Sequence, residues 1–173
     1  MNITEKKNFE RTKFKNLMEK SSPVDRKKVE INVKLYIDSF VKKSMKINYI
    51  GIYWPLKNEV DIRSLNNKYS LALPRCEKDK ELLFCAWEGE KLTKDYEGIL
   101  SPDSSQKLSY ENISMIFVPC LSVDKNLTRL GYGGGYFDKL RKDQNWKNVP
   151  CIGLLTSNCV SNVALTRAYW DIP

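Results

Sequence analysis

A chain of 173 residues with 42% hydrophobic side chains, nine tyrosines, six phenylalanines and four tryptophans can bury a substantial core, which excludes a disordered chain and suits a single globular domain. Lysine and arginine number 29 against 21 aspartates and glutamates; the +8 surplus suits nucleic acid and equally a polyanionic small molecule, but the basic residues, spread along the chain and densest in the first 46 positions, carry no RNA-binding signature. The absence of histidine rules out imidazole catalysis, and five cysteines (Cys76, Cys85, Cys120, Cys151 and Cys159) without a Cys-x-x-Cys pair argue against a zinc site or a disulfide framework.

The first residues, Met1-Asn-Ile-Thr-Glu-Lys-Lys, lack the apolar core of a signal peptide, and no run approaches membrane-spanning length. A cytoplasmic protein with no membrane or nucleic-acid partner is expected. Residues 4–20 read as a helix capped by Thr4, with Lys7 and Arg11 one turn apart on one face. That spacing makes an ordinary basic face, and it also lets both cations clamp one anionic group. Ser21-Ser-Pro23 breaks this helix, and Pro23 opens a second one. Val29, Val33, Tyr36, Ile37, Phe40 and Val41 give the second helix an apolar stripe that faces a core.

Ile47–Trp54 reads as a strand ended by Pro55, after which Glu59-Val-Asp61 opens a short helix through Leu65. Trp54 either packs in the core or offers a flat surface to a ligand. Glu59 either starts a solvated helix or hydrogen-bonds an amino-heterocycle. Strands are expected at Tyr69–Pro74, with Arg75 just past its end, and at Glu81–Trp87, across a charged turn at 77–80. Lys91–Gln106 reads as loop. Ile113–Pro119 is a buried strand, and Val149–Leu155 is the last clear one. Strands separated by helices indicate a largely parallel α/β sheet, whose strand ends are the usual place for ligands.

Between those last two strands lies Arg129-Leu-Gly-Tyr-Gly-Gly-Gly-Tyr-Phe-Asp-Lys139. Gly131, Gly133, Gly134 and Gly135 strip the side chains from one turn of backbone, and a helix from Tyr136 to about Asp143–Asn145 follows. The segment makes a tight turn with solvated charges, or a seat for phosphate built from free amides, a helix dipole and the flanking cations Arg129 and Lys139. Asp138 supplies a hard oxygen for a magnesium ion. It is not a P-loop, since no Lys-Ser or Lys-Thr follows, and Tyr136 stands where a dinucleotide fingerprint needs glycine.

The glycine segment resembles the signature of the 5-formyltetrahydrofolate cyclo-ligase family (methenyltetrahydrofolate synthetase), differing within the run only in Phe137 for a second tyrosine. The resemblance extends along nearly the whole chain. Lys7-x-x-x-Arg11 is similar to the family's nucleotide-phosphate clamp, with Glu10 where an apolar residue is usual. Tyr53-Trp-Pro-Leu-Lys-Asn-Glu59 resembles its folate-binding segment, and Leu73-Pro-Arg75 a strand end whose arginine meets phosphate or substrate. Gly98-Ile-Leu-Ser-Pro102 looks like a family segment with Ser101 in place of glutamate. Asp171 stands where a second metal-associated aspartate is expected, Trp170 where a histidine is usual, and Asn158 where glutamine is common.

What the resemblance implies is an α/β three-layer sandwich around a mostly parallel Rossmann-like sheet, of the sugar-phosphate-isomerase/CoA-transferase type, with N-terminal helices. One domain would span residues 1–173, without the family's final strand, and act as a monomer. The implied reaction is ATP- and Mg²⁺-dependent conversion of 5-formyltetrahydrofolate, in mono- or polyglutamylated form, to 5,10-methenyltetrahydrofolate, ADP and phosphate. By the same resemblance Arg129 and Tyr136 are catalytic. ATP would meet Lys7, Arg11, Arg129, Leu130, Gly131, Tyr132, Gly133, Gly134, Gly135, Tyr136 and Phe137. Folate would meet Trp54, Glu59, Tyr132, Gly133, Gly134, Gly135 and Tyr136, and the metal Asp138 and Asp171. A folate-binding homologue impaired in turnover is the alternative, and an RNA-associated module a more distant one.

Overall fold

The structure is a computed structural model, and it describes residues 1–43, 47–103, 106–169 and 171; the expectations attached to Trp170 and to a final strand lie outside these residues. Helix α1 spans Ile3–Glu19 and is capped by Asn2, not Thr4. Asn2 accepts the Glu5 N–H at 2.9 Å while the Glu5 carboxylate accepts the Asn2 N–H at 2.9 Å, a reciprocal box that starts the helix one residue early. Helix α2 spans Pro23–Lys43. Its buried stripe is narrower than expected: Val33 and Ile37 are buried, Val29 and Phe40 pack partly, and Tyr36 and Val41 are exposed.

Strand β1 is short, Tyr49–Gly51. The helix expected from Glu59 does not form there; a 3₁₀ turn at Arg63–Asn67 replaces it. The cause is local: Asn58 takes a positive φ of 70° and the Glu59 carboxylate bonds back to the Leu56 N–H, closing a turn instead of a helix. Strand β2, Leu71–Cys76, runs through Pro74 and includes Arg75. Ala72 faces β1, so Pro74, two residues on, faces the same edge beyond the last bonded pair, where its missing N–H costs nothing. Strand β3, Leu82–Trp87, follows antiparallel.

The segment expected as loop holds a small hairpin, β4 at Thr93–Lys94 and β5 at Leu100–Ser101. Strand β6 is Lys107–Leu108 and β7 is Ile113–Pro119. A hairpin not foreseen in the sequence, β8 at Ser122–Asp124 and β9 at Arg129–Leu130, leads into the glycine turn. The single helix expected after it is split into α3, Tyr136–Leu140, and α4, Gln144–Asn148, because Asp143 leaves helical geometry to cap the second piece. Strands β10, Cys151–Leu154, and β11, Val160–Ser161, complete the elements.

The result is a mixed α/β fold around a mostly parallel sheet of order β10-β7-β1-β2-β3-β6, in which β10, β7, β1 and β2 are parallel and β3 and β6 antiparallel. Alternation sorts its core. Leu71, Leu73, Met115 and Phe117 pack with Val33 and Ile37 of α2, while Ala72, Ile116 and Val118 pack with Leu140 and Phe84. A third cluster joins Phe14 and Met18 of α1 to Leu121, Leu130 and Cys159 beside the sheet. The carboxyl ends of β1, β2 and β7 open onto one cavity.

Candidate active site

The β8–β9 hairpin is fixed from within by Asp124, whose buried carboxylate accepts the N–H groups of Asn126 and Thr128, each at 2.9 Å, and of Leu165 at 2.8 Å. Burial alone would raise its pKa, but these amides outweigh burial and hold it below the usual carboxylate value. The hairpin delivers Arg129 to the end of β7. There the guanidinium donates to the Pro119 carbonyl at 3.5 Å and to Asp138 Oδ1 at 3.1 Å.

Next comes the glycine turn. Gly133 and Gly135 have φ of 106° and 78°, left-handed values that other residues adopt only under strain, and Gly133 and Gly134 are exposed. At Gly131 a Cβ would lie 2.8 Å from the Arg129 guanidinium, so a side chain there would push the arginine away. From α1, Arg11 reaches across to donate Nε–H to the Gly131 carbonyl at 3.1 Å. Lys7, buried at 6% exposure, is held by both oxygens of Asp171 at 2.6 and 2.5 Å. Helix α3 spans only five residues, too short for a substantial dipole. The capacity of this wall for an anion therefore rests on bare amides and on Lys7, Arg11 and Arg129, which corrects the helix-dipole expectation.

The opposite wall carries Trp54 and Glu59. Arg63, held by Asp61 at 2.9 and 2.6 Å, stacks over the Trp54 ring at 4.1 Å, and the ring meets Trp87 edge-on. Glu59 is 8% exposed; Oε2 accepts the Leu56 N–H at 2.6 Å, and Oε1 has no hydrogen-bond partner among the described residues. Burial raises its pKa, only partly offset by the nearby Tyr132 hydroxyl and the Leu56 amide. Tyr132 in turn is pushed far above the usual phenol value by burial and by the Glu59 charge.

Both walls face one cavity of about 1230 Å³. It is lined by Lys7, Arg11, Trp54, Glu59, Arg129, Gly131, Tyr132, Gly133, Gly134, Gly135, Tyr136, Phe137, Asp138 and Asp171. Leu130 is the exception among the expected residues: at 1% exposure its side chain is core, packed with Phe14 and Cys159. Arg75 points away and is taken by Glu77 at 2.8 Å, Ser101 at 3.0 Å and the Pro102 carbonyl at 3.2 Å, so it is a structural tie and not a ligand contact.

The sequence profile of the 5-formyltetrahydrofolate cyclo-ligase family matches residues 3–165. The chain belongs to this family. A 5-formyltetrahydrofolate cyclo-ligase of Haemophilus influenzae is 24% identical over 185 aligned residues, covering 98% of this chain and 95% of the relative. The NMR structure of the Aquifex aeolicus 5,10-methenyltetrahydrofolate synthetase superposes with a TM-score of 0.74 at 26% identity, over 96% of this chain and 86% of that one. A synthetase from Mycoplasma pneumoniae, 22% identical, shares the fold at a TM-score of 0.70, over 96% and 93%.

Charged cavity residues that sequence reasoning did not single out include Lys80, Glu97 and Lys142. Lys80 takes a positive φ of 60°, which brings its ammonium to 3.7 Å from the Cβ position of Gly135. No sequence pattern marks that geometry. For Glu97 there was a signal, the turn former Asp95 three residues before Gly98, but nothing to say what the turn would face.

Proposed function

We propose that the chain catalyses the ATP-dependent conversion of 5-formyltetrahydrofolate to 5,10-methenyltetrahydrofolate, with release of ADP and phosphate. One observation carries this reading: a bare glycine turn ringed by cations and a buried carboxylate with an open acceptor face the same cavity. The first suits a nucleotide's phosphates, the second an amino-heterocycle, and the reaction needs both side by side. Within this reading the chain is one cyclo-ligase domain, monomeric and cytoplasmic, with the layered arrangement of the sugar-phosphate-isomerase type. Nothing in the cavity favours a folate binder without turnover.

In the proposed reaction the formyl oxygen attacks the γ-phosphorus of ATP, an O–P bond forming as the bond to ADP breaks. N10 of the folate then attacks the activated carbon, phosphate leaves with the former formyl oxygen, and the N10 proton departs. Such chemistry needs positioning and charge neutralisation more than a protein nucleophile, so a chain without histidine suffices. The exposed amides of Gly133 and Gly134, with Lys7, Arg11 and Arg129, bind and orient the phosphates. Arg129 neutralises charge that develops on the transferred group, Tyr136 lines the reacting region, and Phe137 and the Gly131–Tyr132 segment wall the nucleotide. Glu59 and Trp54 hold the folate ring, with Tyr132 between the two substrates; a polyglutamate tail would find Lys80 and Lys142 at the same cavity.

Magnesium fits the donor set in one specific way. Among the described residues no group of three or more metal-ligating side chains exists, so these residues alone make no cage. Mg²⁺ commonly uses one or two carboxylates plus substrate phosphates. Asp138 and Asp171 would hold it, each now paired with a cation, Arg129 or Lys7, that arriving phosphates can take over. When bound, the ion would neutralise phosphate charge. The test is kinetic: Arg129→Ala is expected to lower turnover at least about a hundredfold, the range seen when one transition-state charge partner is lost, with the melting temperature kept. Wild-type turnover in that variant would refute the assignment.

A further inference from the structure

Glu97 belongs to no motif noted above, yet its Oε1 accepts a hydrogen bond from the Tyr136 hydroxyl at 2.5 Å. The two residues come from different walls of the cavity, Glu97 from the turn between β4 and β5 and Tyr136 from the end of the glycine turn. The β4–β5 turn is built to present this carboxylate. Buried Asp95 accepts the N–H groups of Glu97 at 3.0 Å and Ile99 at 2.9 Å on Oδ1, and that of Cys76 at 2.9 Å on Oδ2. Its own N–H donates to the Ile99 carbonyl at 2.8 Å, and Gly98, with φ of 77°, returns the chain. A turn anchored to the end of β2 thus holds Glu97 across the cavity.

On the other side, the Tyr136 ring lies 3.1 Å from the Cβ position of Gly134, so fixing the phenol fixes a ring seated on the exposed glycines. The remaining cavity carboxylates have other work: Asp138 pairs with Arg129, Asp171 with Lys7, and Glu59 with the Leu56 amide. We propose that Glu97 is a positioning residue, which acts through Tyr136 to hold the Gly133–Gly135 amides in the arrangement that receives the phosphates of ATP. This rests on the nucleotide reading of the glycine turn given above.

Two effects of the carboxylate oppose each other, which makes the idea testable. As a hydrogen-bond acceptor Glu97 would aid ATP binding; as a bare negative charge it would repel the nucleotide. ATP affinity by calorimetric titration, with KM and kcat measured alongside, is compared for wild type, Glu97→Gln, Glu97→Ala, Tyr136→Phe and the Glu97→Ala/Tyr136→Phe double variant. Loss of the acceptor in Glu97→Ala is expected to weaken ATP binding about tenfold and raise its KM equally, with kcat within about twofold. Glu97→Gln, whose amide oxygen still accepts, stays within about threefold of wild type. Tyr136→Phe weakens ATP binding as much as Glu97→Ala does and lowers kcat as well, since Tyr136 lines the reacting region, and the double variant binds ATP no more weakly than either single variant, as coupled residues require.

ATP binding by Glu97→Ala that equals or exceeds wild type, or additive losses in the double variant, would overturn the proposal. Wild-type protein that binds ATP and reproduces this mutant pattern, yet forms no methenyl product, would refute the cyclo-ligase reading and leave the Glu97 coupling standing. Wild-type protein that does not bind ATP would sink both.

Discussion

Glu59 places an ionisable group where water cannot fully solvate it, and the consequence has a sign. Its pKa is raised by burial, so between the ordinary glutamate value, about 4.3, and the folded value the native state holds more protons than the unfolded chain. Stability contributed by this group therefore falls as pH rises through that window. Glu59→Gln is expected to remove this downward slope from a plot of melting temperature against pH. In kinetics the same variant should raise KM for 5-formyltetrahydrofolate about tenfold, the loss of one charged hydrogen bond, and leave KM for ATP unchanged. A KM for folate that does not move would remove Glu59 from the substrate site.

At the scale of elements, the β8–β9 hairpin aims Arg129 and the glycine turn, and Asp124 holds the hairpin. Its pKa is depressed, so its stabilisation is present above the ordinary aspartate value, about 3.9, and is lost as pH falls through the folded value. Asp124→Ala strands three backbone N–H groups and should cost about 3 kcal/mol, read by chemical denaturation. Gly133→Ala forces a side chain into φ of 106° and should cost about 1–2 kcal/mol and weaken ATP binding.

Much of this architecture was legible in the sequence. The apolar run 113–119 is a strand with its expected bounds, and within the glycine turn Gly133 and Gly135 stand where φ demands glycine. What escaped was set by contacts between distant residues. Strands β8 and β9, of three and two residues, are too short to carry a period, and Asp124 finds one partner at Leu165. Glu59 reads as a helix opener until its carboxylate is seen bonded to Leu56. Of the expected site residues, Leu130 alone sends its side chain into the core, because β9 alternates Arg129 to the cavity and Leu130 behind it.

On the whole-molecule scale, residues from the two ends of the sequence complete one wall. Besides the Lys7–Asp171 pair, Glu10 of α1 accepts the Thr166 N–H at 3.0 Å and its hydroxyl at 2.8 Å, in the place where the family resemblance led one to expect an apolar side chain. Glu10→Ala should lower stability by about 1–2 kcal/mol, measured by denaturant titration, and loosen the approach of α1 to the glycine turn. The central claim joins that wall to the folate side, and one spectrophotometric assay tests it most directly. Protein, ATP, magnesium and 5-formyltetrahydrofolate are followed by the absorbance of the methenyl product, for wild type and Arg129→Ala. Product formation by wild type that stops when ATP or magnesium is withheld, and falls at least about a hundredfold in the folded variant, is the outcome expected; no product from wild-type protein, or undiminished product from the variant, would contradict it.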